Sequence, residues 1–282
     1  MKRPPDAMTA LLTRNDRLIS ELTPYVVATP THRGMLDLAP LGLTILPENI
    51  IDPTRVASER FLAILQAVDA LTFGPEGMPM ARWLFYDCAE LPGATFGFAR
   101  RAETMPDDVR TALGLQPGET GLVPLSMYVA IPMQPPGVWF GHNLSSLNPS
   151  FPGLGLKGLA SITKALALVV FRCATQVGVT QWDADALHIH TRFGPLELLS
   201  AWTPAHLEAA TLTYRFTVTE ERVRYALGDP RVTLEYPAPD FAIEPGDTAA
   251  MQRLQTRIES GEQFVIAGPP AGSHRRVPIA RI

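Results

Sequence analysis

Apolar positions along the chain recur with two periods, and the change from one to the other marks out the elements. After Asp52-Pro53, an N-cap candidate followed by a proline suited to a first helical turn, Phe61, Ile64, Leu65, Val68 and Leu71 recur at helical spacing until Gly74-Pro75. From Met80 the period falls towards two. RWLFYDCAEL, the turn Pro92-Gly93 and ATFGFARR predict a β-hairpin, and LVPLSMYVAI, a Pro-Pro-Gly turn at 135–137 and VWFGHNLSSL predict a second. An apolar run from about Leu156 to Val177 predicts one long helix with Gly178 as its left-handed cap, its Leu159, Ile162, Leu166, Val169 and Val170 facing a sheet. LHIHTRF, LELLSAW, TLTYRFTV and RVTLEY read as strands, Asp247 opens a last helix that Gly261 ends, and QFVIA closes the list of strands. The order predicts an α+β fold, a bent antiparallel or mixed sheet around one long central helix. Its expected divisions are an N-terminal extension over 1–51, a core domain over 52–236, and a C-terminal helix and strand over 237–282 packed on that core.

Composition narrows the class of protein. Hydrophobic residues make up 46% of the 282 and charged ones 18%, the opposite of a disordered chain's balance. Lys plus Arg number 24 against 28 Asp plus Glu, so no basic field exists to hold a phosphate backbone, and nucleic acid is not an expected partner. The 27 prolines fall between apolar runs and punctuate many short elements. The most apolar stretch, Leu154 to Val179, carries Lys157, Lys164, Arg172 and Gln176, which predicts a buried helix and no membrane span. Cys88 and Cys173 stand far apart in apolar contexts, which fits buried thiols, a reducing compartment and a cytoplasmic location. Trp83, Trp139, Trp182 and Trp202 lie in or beside expected strands, as core residues or as the lining of an apolar ligand site.

The segment Leu147 to Gly158, LNPSFPGLGLKG, joins a strand to the head of the longest expected helix. Gly153, Gly155 and Gly158 have no Cβ to keep a ligand away, and the first N–H groups of a helix are unpaired at the positive end of its dipole. Such a place suits a pyrophosphate. A dinucleotide-binding βαβ unit is excluded, because the preceding strand belongs to a hairpin and no acidic residue stands at the required distance. In the order Leu147, Pro149, Phe151, Gly153, Gly155 and a helix from Leu156, the segment resembles the cofactor loop of the GNAT superfamily of acyl-CoA-dependent N-acyltransferases, with similar element order over roughly 52–218. Pro152 stands at the family's usual Arg or Gln position, Lys157 at its last small-residue position, and the helix that normally follows the next strand is missing from the pattern. The resemblance implies an acyltransferase moving an acyl group from acyl-CoA, as cosubstrate, to an amine or hydroxyl of a small molecule. It further implies that the backbone from Ser145 to Leu147 pairs with the pantetheine arm. The N–H groups of Gly153, Leu154, Gly155 and Gly158 would hold the pyrophosphate, Lys157 would add charge, and His142 would serve as the base nearest the acyl carbonyl.

A second constellation leaves another reading open. On a strand, ALHIHTRF would set His188, His190 and Arg192 on one face, and two imidazoles one strand period apart can share a metal. The fragment His-x-His with a later carboxylate at Glu197 resembles the cupin family, and His142 or His206 would have to complete the ligand set. The other reading of the same residues is a polar strand face. Beside the acyltransferase stand, therefore, a noncatalytic protein binding an apolar small molecule or lipid, and a metal-dependent enzyme using His188, His190 and Glu197.

Overall fold

The computed structural model of the protein describes residues 19–30, 36, 47–75, 80–84, 87, 93–204 and 210–282. Its elements are β1 (Thr23–Val27), β2 (Ile50–Ile51), α1 (Glu59–Phe73), β3 (Ala94–Arg101), α2 (Asp107–Ala112), β4 (Leu122–Pro132), β5 (Val138–Ser146) and α3 (Leu159–Val170). They continue with β6 (Thr175–Gln181), α4 (Ala186–Thr191), β7 (Leu196–Ser200), β8 (Thr211–Thr217), α5 (Glu220–Ala226), β9 (Phe241–Ile243), α6 (Thr248–Glu259), β10 (Phe264–Ile266) and β11 (Val277–Arg281). The class is α+β, as the pattern predicts. The described residues fall into two compact units, those up to Pro132 together with His142–Cys173, and Met133–Gly141 together with those from Ala174 onward. β5 crosses the division.

In the first unit the strand order is β2-β1-β3-β4-β5, with β1 parallel to β2 and antiparallel to β3. Two helices cover its two faces. α1 lays Phe61, Leu62 and Leu65 against Tyr25, Val27, Ala99, Met127 and Val129, alternate positions of three neighbouring strands. The other face of β4 belongs to α3, whose Thr163 hydroxyl meets that of Ser126 at 2.7 Å. A register shift between Phe98 and Ala99 puts Pro124 opposite Ala99, the kind of bulge at which a strand tolerates a proline. At Gly97 the Tyr25 ring crosses the sheet so closely that a Cβ would stand 2.1 Å from the Ser126 carbonyl oxygen and 2.5 Å from the Tyr25 Oη. The hydroxyl of Tyr25 donates to that carbonyl at 2.8 Å.

In the second unit β5 runs parallel to β6 over Val138–Gly141, and the order continues β6-β8-β7-β10-β11-β9 with antiparallel pairings. Gly178 pairs with Tyr214 across β6 and β8. The tyrosine ring occupies the space a side chain would need, with its Oη 2.5 Å from a Cβ at Gly178.

Several expectations change. The single long helix is not found: α3 spans twelve residues and is shorter than the fifteen-residue α1. Its run stops at Phe171, Arg172 takes a left-handed φ of 52°, and Thr175–Gln181 is strand, so Gly178 is a mid-strand residue and not a cap. Val177 and Val179 favour that strand because β-branched side chains are restricted in helices. RVTLEY is irregular chain, and Arg82–Leu84, expected in the first hairpin, is helical. Cys88 lies outside the described residues, and β3 pairs instead with β1 and β4. The helix at Thr248 matches its sequence signal, the Asp247 carboxylate accepting from the Ala250 N–H at 2.8 Å. Helix α1, by contrast, begins at Glu59 and not at the expected cap Asp52: Asp52 accepts the Thr54 N–H at 3.0 Å in a turn, and Ser58 at the N-cap makes no side-chain bond. No described helix is long and apolar enough to cross a membrane.

Gly97→Ala is expected to destabilise the fold by about 1–3 kcal/mol or more, as an overpacked core does, because backbone and a locked tyrosine both stand in the way. Urea titration checks it; a loss under about 0.5 kcal/mol would mean that the Tyr25 ring moves aside freely.

Candidate functional site

The loop between β5 and α3 is built from alternating anchors and openings. Leu147, Leu154, Leu156 and Leu159 are buried, while Pro152, Gly153, Gly155, Lys157 and Gly158 are exposed. The buried leucines hold the backbone against the core, and the exposed positions between them carry the glycines. Pro152–Leu154 forms one 3-10 turn, and Gly155 and Gly158 take φ of 68° and 89°, values that only glycine adopts readily. A Cβ at Gly153, Gly155 or Gly158 would meet nothing within 4 Å. These positions therefore border open space. The carbonyl of Leu154 faces the Arg100 guanidinium at 3.5 Å, and Arg100 is held in turn by Glu21 at 3.0 Å.

The hydrogen bonds inside the loop sort its donors. Phe151 donates to Leu147, Leu154 to Phe151 and Gly155 to Pro152, at 2.9, 3.1 and 3.2 Å. Two of the four N–H groups expected to face an anion are thus engaged in turns. Among the described residues, those of Gly153, Lys157 and Gly158 make no backbone hydrogen bond. The Leu147 N–H donates to the Leu125 carbonyl of β4 at 2.9 Å, so alternation directs the main-chain groups of Ser146 to the opposite edge of β5.

His142 is half-buried on β5, its Nδ1 2.5 Å from the Asn143 Oδ1. The Asn143 Nδ2 donates to the Asp69 Oδ1 at 2.8 Å, and the buried Asp69 also accepts the Met80 N–H on its Oδ2. Ser145, fully buried, has its Oγ 3.5 Å from the same carboxylate. Burial raises the Asp69 carboxyl above its ordinary value, while the Met80, Asn143 and Ser145 donors and the charge of His142 act the other way. Asp69 did not figure among the sequence-derived site residues. A signal was present: it stands four and seven residues after Leu65 and Leu62, on the apolar stripe of α1, where a carboxylate is out of place.

The histidine strand is not a strand. Ala186–Thr191 is the helix α4, whose Leu187, His190 and Thr191 are buried and whose His188 is exposed. Two residues apart on a helix point nearly opposite ways, so His188 and His190 cannot share an ion as they would on a strand. The His190 ring lies 5.1 Å from that of Tyr214, and Glu197 forms a two-pronged pair with Arg215 at 2.6 and 2.7 Å. No group of three or more His, Cys, Asp or Glu able to hold a metal occurs among the described residues, and His206 lies outside them. The same helix follows β6, where the sequence pattern reads as a strand. A cavity of about 350 Å³ in the second unit, lined by Arg192, Tyr225, Asp229 and Tyr236 among others, contains no loop residue.

Neither a family model nor a curated protein matches the chain. Solved structures similar to it include N-acetyltransferases. The NatC complex bound to Gag peptide and CoA matches with a TM-score of 0.39 and 14% identity, over 60% of this chain and 97% of that one. The ribosomal-protein-S18-alanine N-acetyltransferase of Escherichia coli matches at 0.38 and 10%, over 56% and 88%. The aminoglycoside 6'-acetyltransferase type Ii matches at 0.39 and 11%, over 60% and 94%.

Behind the loop, α3 carries a buried lysine. Lys164 is fully buried, its Nζ 5.8 Å from the centre of the Tyr128 ring, and burial lowers its pKa from 10.5 to about 7, opposed by the nearby Cys173. Between those values the unfolded chain holds a proton that the folded one has released, so stability rises with pH across that window, by up to about 1.4 kcal/mol per unit. Below about 7 both states are charged and the full penalty stands. Wild type is therefore expected to gain stability relative to Lys164→Met between pH 7 and about pH 9, read from urea midpoints. A difference that stays constant with pH would show that the ammonium is solvated.

Proposed function

We propose that the protein is an acyltransferase that binds acyl-CoA at the Leu147–Gly158 loop and passes the acyl group to an amine or hydroxyl of a small molecule. The observation that supports this reading best is the loop itself. Exposed glycines, two of them in left-handed conformations, border open space at the head of the twelve-residue helix α3, and the N–H groups of Gly153, Lys157 and Gly158 carry no backbone partner there. An N–H cluster at the positive end of a helix dipole stabilises a pyrophosphate, and the Lys157 ammonium adds to it. In this reading Leu154 and Gly155 shape the turn and do not donate. The pantetheine arm pairs with Ser146 in the Ser145–Leu147 stretch, since the Leu147 N–H already serves β4.

Acyl transfer needs a nucleophile freed of its proton and an acyl carbonyl held still for attack. In the proposed mechanism His142 removes the proton from the acceptor as its nitrogen or oxygen bonds to the acyl carbon, and the thiolate of CoA leaves with the electron pair of the C–S bond. Half-buried in a strand, its ring has little freedom to wander.

Calorimetric titration with CoA is the direct test, and saturable binding is the expected result; no heat at millimolar CoA would overturn the reading. The most informative loop variant is Gly153→Val, because φ at Gly153 is outside the left-handed region and a Cβ there meets nothing. Stability should stay within about 0.5 kcal/mol of wild type. CoA affinity should fall tenfold or more. His142→Gln should leave CoA affinity near wild type and lower the turnover rate by roughly 10²-fold or more, the usual contribution of a general base.

A further inference from the structure

The hydrogen bonds from Asp69 through Asn143 to His142 form a chain with a direction. Met80 N–H donates to the Oδ2 of Asp69, and the Ser145 hydroxyl faces its Oδ1 at 3.5 Å, so both oxygens meet donors and the group is favoured as a carboxylate. A carboxylate only accepts, and so the Asn143 amide must turn its nitrogen to Asp69. Its oxygen is thereby left facing His142, 2.5 Å from Nδ1. An amide oxygen only accepts in its turn, so the ring nitrogen facing it must carry a hydrogen. We propose that Asp69 and Asn143 are positioning residues that fix His142 as the Nδ1–H tautomer, with the lone pair on Nε2. The assignment concerns a neutral ring and follows from donor and acceptor chemistry alone; its value for catalysis rests on the reading of His142 as the base.

The arrangement does for His142 what a carboxylate in direct contact does in other catalytic histidines: it selects the nitrogen that can take a proton and holds the ring plane. Here an asparagine is interposed. The link is held at both ends by regular structure, since Asp69 belongs to α1 while His142 and Asn143 belong to β5. Asp69 is fully buried and Asn143 nearly so, where a lost partner is expensive and an amide flip is disfavoured.

The test is the ¹⁵N spectrum of uniformly labelled protein above the titration of its histidines, with the His142 signals assigned by their loss in His142→Gln. Two-bond and three-bond proton–nitrogen couplings report which ring nitrogen is protonated. Nδ1–H in the wild type is expected, and Nε2–H there would overturn the proposal without any further variant. Asp69→Asn supplies the sharper outcome. Its amide oxygen would meet the Met80 N–H and its nitrogen would face Asn143. Asn143 must then flip, present its own nitrogen to the ring and force the Nε2–H tautomer. A folded Asp69→Asn protein that keeps Nδ1–H would overturn the directed chain. If that variant does not fold, Asn143→Leu reads the same link, with the ring expected to lose its single tautomer; retention of pure Nδ1–H would count against the proposal. A role for Asp69 in stability alone moves none of these signals. Turnover in folded Asp69→Asn should fall about 10²-fold or more with CoA affinity unchanged. Absence of CoA binding in wild type would remove the acyltransferase reading and leave the tautomer assignment standing.

Discussion

Most of the first unit depends on one close approach at Gly97. Because that residue has no side chain, the Tyr25 ring can lie across the middle of the sheet and hydrogen-bond the Ser126 carbonyl from the α1 face. The Ser126 side chain emerges on the other face and meets Thr163 of α3. A tyrosine, a glycine, a serine and a threonine thus tie both covering layers to β4 at one point. Apolar packing alone is non-directional and would allow α3 to slide; a buried hydroxyl pair cannot slide without leaving both groups unsatisfied. The glycine loop ends at the head of α3, so the register of the loop is inherited from the sheet. The second unit repeats the device at Gly178 and Tyr214. In both, an aromatic ring fills the hole that a glycine leaves in a strand.

What the sequence reveals depends on how local the deciding physics is. The β4–β5 hairpin, α1, α6 and the glycine loop were legible because periodicity, Pro-Gly turns and the Asp247 cap act over a few residues. The end of α3 was not. No glycine or proline marks Phe171–Ala174, and apolar residues continue on both sides of Arg172, Thr175 and Gln176, from helix into β6. The turn is made by Arg172 in a left-handed conformation, one that few non-glycine residues adopt. Helix α4 fails for a different reason. Leu187, Ile189 and Phe193 fit an alternating pattern, yet the buried set Leu187, His190 and Thr191 has helical spacing, and over six residues the two periods cannot be separated. Strands β1, β9 and β11 are short and owe their place to neighbours far along the chain.

Of the candidate site, the loop and His142 were visible in the sequence and the partners of His142 were not. Spacing can show that Asp69 lies on the buried side of α1, but not that β5 places Asn143 opposite it, which is set by strand pairing. The loop's donors also needed three dimensions. Only the turn geometry shows that Leu154 and Gly155 spend their N–H groups internally while Gly153, Lys157 and Gly158 do not.

Two ionisable side chains, one in each covering helix, interrupt the apolar layers on either side of this sheet, and they differ in what surrounds them. Lys164 sits within α3 beneath the loop, where burial opposes its charge and a tyrosine ring lies over its ammonium. Asp69 sits within α1, where a main-chain N–H and an amide nitrogen both donate to it. Burial disfavours charge at both sites, and at the aspartate two donors keep the charged form within reach. Those donors also restrain the structure, since α1 cannot turn without breaking the bonds to Met80 and Asn143. A leucine at position 69 would pack α1 more simply and would leave the orientation of the Asn143 amide undetermined. The carboxylate therefore trades ease of burial for direction, and that direction reaches the one histidine on the strand leading into the glycine loop.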